Sequence, residues 1–135
     1  MSFEPAVPDD ASFDALYGLE VLEEDAERGH SRARIAVRPE LCDHEGALAG
    51  GVIAAAAEAM ASRATAVAVM PAGLLAQGLS NDTTMFARVT GGHVEVDARV
   101  AGRSATEWVW SIDVRDAAGR PCALARVTVA VRAPR

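Results

Sequence analysis

The chain has 135 residues, half of them hydrophobic and 24% charged, with a formal net charge of −6. That length fits one domain with a core of its own, and the acidic balance argues against a nucleic-acid surface, which shows a basic patch. Two cysteines, Cys42 and Cys122, are too few for a disulfide framework and lack metal-ligand spacing, so they read as small reduced core residues.

The first residues are acidic and carry Pro5 and Pro8, a pattern unlike a signal peptide, so the expected location is the cytoplasm. Residues 1–17 are expected as a lead-in, with a short helical turn over Ser12 to Tyr17, and 18–135 as a single domain. A first strand is expected over Gly18 to Glu23, followed by a polar turn. From Ser31 to Arg38, arginines alternate with Ala33, Ile35 and Val37, the period of a half-buried strand.

The central stretch runs from Asp43 to Ser62. A glycine-bearing loop opens into an alanine-rich helix, expected from Gly50 to about Val69, where Pro71 stops it. Ile53, Met60 and Val67 are expected against a sheet, with Glu58, Ser62 and Thr65 on the opposite side. Small side chains all round predict a helix enclosed on both sides. The most apolar run, Ala47 to Ala76, is interrupted by Glu58, Arg63 and Pro71 and does not read as a membrane span.

Four strands are expected after the helix. The first covers Leu79 to Val89, with Asn81 and Thr83 sharing a face. The next is His93 to Ala101, then Thr106 to Asp116 with Trp108 and Trp110 on one face, and finally Cys122 to Arg132. Short turns join the last three into an antiparallel meander. One helix before such a run is an α+β layout with the helix across the sheet. The uncovered sheet face, with its tryptophans or valines, is expected to need a second subunit.

Glu58 is the focus of the chemistry. A lone acid in a nearly all-apolar helix is costly unless something uses it. The helix start at Gly50 offers unpaired backbone donors suited to a developing negative charge. Gly50 and Glu58 are eight residues apart, about 12 Å along a helix axis at ~1.5 Å per residue. They do not easily act on one carbonyl carbon, so two facing helices are expected to pair Gly50 of one chain with Glu58 of its partner in a homodimer. Asp43, His44 and Glu45 are consecutive and do not read as a metal site. Gly50-Gly51 lacks the lysine of a phosphate loop and the spacing of a dinucleotide fold.

The frame Asp43, Gly46, Ala49-Gly50-Gly51, Glu58 and Ser62 resembles the hotdog-fold acyl-CoA thioesterases. It looks most like the phenylacetate-pathway and glutamate-type 4-hydroxybenzoyl-CoA branch, and is also similar to 1,4-dihydroxy-2-naphthoyl-CoA thioesterases. The likeness continues in Arg88, Trp110 and the segment Asp116 to Cys122, covering nearly everything after Gly18. It implies an antiparallel sheet wrapped around one central helix, dimerising and assembling further as a dimer of dimers. It implies hydrolysis of an aryl- or medium-chain acyl-CoA, with Glu58 as nucleophile or general base, Gly50 N–H polarising the carbonyl and Ser62 orienting the acid or water. Asp43 stands where the family has an amide and Ala49 where it has a histidine, which leaves the oxyanion to Gly50. Gly51, Asn81, Thr83 and Arg88 are the candidate substrate contacts, Arg88 toward the phosphates of coenzyme A. No metal or redox cofactor is implied; coenzyme A belongs to the substrate. Ala49 and Asp43 favour the alternative, a non-catalytic module binding acyl-CoA or an acyl carrier protein. A hotdog hydratase fits poorly, because the helix has no histidine.

Overall fold

The computed structural model describes residues 6–135, so 1–5 of the expected lead-in lie outside the described residues. Ser12 caps the short helix α1, Phe13–Leu16, by accepting from the Ala15 N–H at 3.2 Å. Tyr17 follows and is buried in the core, so the lead-in is tied down at its end. Then come β1 (Glu20–Asp25), β2 (His30–Ala36), the long helix α2 (Gly50–Val69), β3 (Leu75–Met85), β4 (His93–Arg103), β5 (Glu107–Asp116) and β6 (Pro121–Arg132).

All six strands form one antiparallel sheet in the order β1-β2-β4-β5-β6-β3. The meander β4-β5-β6 is as expected. β3 crosses back past it to pair with β6 and form one edge. The fold is the α+β hotdog arrangement, one long helix held in a curved antiparallel sheet.

Nine residues of α2 are alanine, the best helix former, and their small side chains let the strands approach closely. Ile53, Ala56, Ala57, Met60 and Ala61 are fully buried, against Val94, Val96, Ile112 and Val127 of the sheet. Pro71 sits in the 3-10 turn after the helix, and Gly73 adopts φ +75°, a left-handed stop. By length and composition the stretch Gly50–Ala72 passes as a membrane span, yet its buried face packs on strands, as a core helix does.

Three expectations are corrected. β3 begins at Leu75, four residues early, because Gly78 lies inside the strand. It sits at a bulge where pairing passes from Gly78–Val129 to Ser80–Thr128, leaving Leu79 as the extra residue. At the other end, Phe86 to Val89 leave the ladder, and the Val89 carbonyl accepts from the Leu48 N–H at 2.8 Å.

Thr65 is buried and Val67 exposed, the reverse of the helical-wheel expectation. The sheet twists, so the covered stripe rotates around the helix in its last turns. Thr65 Oγ1 donates to the Ala61 carbonyl at 2.7 Å and accepts from Trp110 Nε1 at 2.8 Å, an internal pin between helix and sheet.

The tryptophans and valines face α2 and need no second subunit to cover them. The outer face is charged: His30 and Arg99 both reach Asp97, at 2.9 and 3.4 Å, and Arg32 reaches Glu23 at 3.3 Å. What stays open in the chain is the far side of α2 and the outer edge of β3, both exposed along much of their length.

Candidate active site

The start of α2 is held by its backbone. Cys42 and Leu48 form an isolated antiparallel bridge, and the Ala49 N–H donates to the Leu41 carbonyl at 2.9 Å. Asp43 shapes the loop between them. Its Oδ1 accepts from the N–H groups of Glu45 and Ala47 at 2.9 and 3.1 Å, and its own N–H donates to the Ala47 carbonyl at 2.8 Å. Those backbone donors, Ala47 first, hold its carboxyl below the usual range. Gly46 takes φ +83°, which suits glycine. Asp43 is therefore a charged acceptor spent on its own loop.

The helix that follows is uncapped. Ala49 at the N-cap has no side chain to offer, and the Val52 N–H turns back on the Ala49 carbonyl at 3.1 Å. The Gly50 and Gly51 N–H groups have no acceptor among the described residues. A capping Ser, Thr, Asp or Asn here normally adds about 1 kcal/mol. Forgoing it leaves two backbone donors at the positive end of a 20-residue helix dipole.

Glu58 lies two turns on, exposed, with no hydrogen-bond or ion-pair partner among the described side chains. Ser62, one turn further, has its Oγ buried and without a partner. Both converge on Gly78 of β3. A Cβ built on Gly78 would stand 2.7 Å from Glu58 Oε1 and 3.3 Å from Ser62 Oγ.

β3 runs antiparallel to α2 along this side. Gly78 sits at Glu58 and Ser62, Asn81 Nδ2 donates to the Ala54 carbonyl at 2.8 Å, and Met85 Sδ lies 2.5 Å from where a Cβ of Gly50 would be. Thr83 donates to Asn81 Oδ1 at 2.7 Å. Asn81 and Thr83 thus fasten strand to helix. Arg88 is placed at the mouth of the loop, paired with the Glu45 carboxylate and donating to its carbonyl at 3.2 Å.

A cavity of about 420 Å³ adjoins the helix start, lined by Phe13, Leu16, Tyr17, Leu41, Gly51 and Val52, with Arg38 and Glu40 at its rim. The Tyr17 phenol donates to Asp14 Oδ1 at 2.7 Å. Burial first, then Asp14, with the charge of Glu58 adding to both, pushes its ionisation far up, so the ring stays neutral. Sequence reasoning missed this cavity because its walls come from α1, the loop and α2, which only the fold brings together. It also missed Gly78 and Met85, which carry no chemistry of their own. Among the described residues no group of three or more His, Cys, Asp or Glu side chains is placed to hold a metal.

No family model matches the chain. A curated protein of Deinococcus radiodurans, provisionally assigned as an esterase, is 35% identical over 83 residues, 62% of this chain. The match spans 52% of that protein, about half its length. A Mycobacterium tuberculosis protein, also provisionally an esterase, superposes with a TM-score of 0.85 at 28% identity, over 91% of this chain and 98% of that one. A point mutant of a thioesterase from Pseudomonas aeruginosa gives 0.84 at 26% identity, over 90% and 86%.

Proposed function

We propose that the chain is a hotdog-fold acyl-CoA thioesterase and that it hydrolyses an aryl- or medium-chain acyl-CoA thioester, a reading supported by its likeness to thioesterase and esterase structures. The observation that carries this reading is the pair of free N–H groups at the uncapped start of α2, two turns from a single solvent-facing carboxylate. Acyl transfer needs donors where the oxyanion forms and an oxygen nucleophile opposite them. Gly50 N–H, with Gly51 beside it, receives the thioester oxygen. Glu58 attacks the carbonyl carbon to give a mixed anhydride that water then opens, or takes the proton of an attacking water. Either way the C–S bond breaks and the thiolate of coenzyme A leaves, taking up a proton. Ser62 Oγ, buried and unpartnered, orients the carboxylate or the water.

Gly50 and Glu58 stand about 12 Å apart on one helix, at ~1.5 Å per residue, so one site draws them from two protomers. The exposed edge of β3, 11 residues long, supports this: such an edge is a template for pairing with a second copy. Edge-to-edge pairing makes a homodimer with two composite sites, and dimers then associate in pairs. The cavity beside Gly51 has the size and apolar walls for a phenyl ring or a medium chain. Arg88, half exposed at the loop mouth, meets the phosphates of coenzyme A by exchanging its Glu45 partner. Free thiols at Cys42 and Cys122 accord with a cytoplasmic location.

Free-thiol release across a panel of acyl-CoAs tests the reading. Glu58→Ala is expected to abolish turnover, and unchanged hydrolysis would remove Glu58 from the mechanism. A second reading, acyl-CoA or carrier-protein binding without turnover, is favoured by Asp43, whose carboxylate is spent on its own loop and donates nothing. Tight binding with no hydrolysis of any panel member would establish it.

A further inference from the structure

Gly78 has no conformational reason to be glycine. Its φ is outside the left-handed region, and glycine inside a strand costs entropy and packing. What it provides is space. A methyl group there would stand 2.7 Å from Glu58 Oε1, 3.6 Å from Glu58 Cδ and 3.3 Å from Ser62 Oγ. The Glu58 carboxylate has no polar partner among the described side chains, and it occupies the space that a side chain at Gly78 would need.

The bulge makes that contact possible. Side chains alternate along a regular strand, so Gly78 and Asn81, three apart, would face opposite ways. The extra residue Leu79 lets both face α2. The bond from Asn81 to the Ala54 carbonyl then registers Gly78 against Glu58, one turn along the helix. We propose that Gly78 is a positioning residue, a seat without a side chain that sets the reach of the Glu58 carboxylate toward the thioester and keeps Ser62 Oγ beside it. The inference rests on the reading of Glu58 as the reacting acid.

The test is steady-state thiol release with the best acyl-CoA substrate for the intact chain, Gly78→Ala, Glu58→Ala, Glu58→Asp and the Gly78→Ala/Glu58→Asp double variant, with melting temperatures for each. The new methyl meets the mobile end of a side chain, so Gly78→Ala folds and displaces the carboxylate. A misplacement of about 1 Å costs up to about a hundredfold, so kcat is expected to fall about ten- to a hundredfold with KM within about twofold. In the Glu58→Asp background the carboxylate is one methylene shorter and clears the methyl, so the same substitution changes kcat by less than about twofold. An unchanged kcat in Gly78→Ala, or an equal fall in both backgrounds, overturns the positioning role while leaving the thioesterase reading intact. Full activity in Glu58→Ala removes Glu58 from the mechanism and sinks the inference with it, whereas no thiol release by the intact chain from any acyl-CoA sinks the thioesterase reading itself.

Discussion

Replacing Ala49 by aspartate sets stability against activity at one position. Ala49 is the N-cap of α2 and offers no cap, while the Gly51 N–H behind it has no acceptor among the described residues. A carboxylate at the N-cap accepts from the second or third helical N–H and stabilises by about 1 kcal/mol. With unfolding entropy of about 2.1 cal/mol/K per residue, that raises Tm by about 3–4 °C for a chain this long. The same charge stands about 5 Å from the oxyanion expected at Gly50. At an effective dielectric of about 20 it costs ~3 kcal/mol of transition-state stabilisation, roughly two powers of ten in kcat/KM. Ala49→Ser adds the cap without the charge, so it should match the gain in Tm and lose less activity. Thermal melts and thiol release on the same samples decide it. A higher Tm with unchanged kcat/KM in Ala49→Asp would refute the oxyanion role of the helix start. No change in either would show that its donors are not open.

Thr65→Val strands the buried Trp110 Nε1–H while keeping the shape of the side chain, and should cost about 1–3 kcal/mol in denaturant unfolding. Thr65→Ser keeps the hydroxyl and should cost about 0.8 kcal/mol for the lost methyl, so equal losses in the two would rule out the hydrogen bond as the cause. Alkaline stability follows from two raised groups: burial, then Asp116, lifts the Cys122 thiol, and burial with Asp14 lifts Tyr17. Both hold their protons more tightly folded than unfolded. Their contribution is whole below the ordinary values of 9.0 and 10.0, and is lost as pH rises beyond them toward the folded ones. The chain has one tyrosine and no lysine, so Tyr17→Phe should flatten the decline that begins near pH 10. The same slope in both proteins would assign the loss elsewhere.

Much of this was legible in local pattern. The strands β2, β4, β5 and β6 announce themselves by alternation, because each has one face on the core and one in water. The helix shows in its alanines between Gly50 and Pro71, and Glu58 stands out because nothing else in the helix is acidic. The start of β3 is hidden from local pattern for a physical reason. It is an edge strand, exposed on both sides for much of its length, so its hydrophobic pattern is weak, and its bulge breaks the alternation that would reveal it.

The sequence by itself determined the α+β layout, the extent of α2, and the Gly50–Glu58 spacing, since each depends on residues near one another in the chain. The tertiary structure decided what depends on distant segments. It set the place of β3 beside β6, the turning of Thr65 inward to Trp110, and the cavity between α1 and the start of α2. It also brought Gly78 against Glu58, a contact between a residue with no side chain and one with no other partner among the described side chains. Sequence patterns register what a residue carries; this contact depends on what Gly78 lacks.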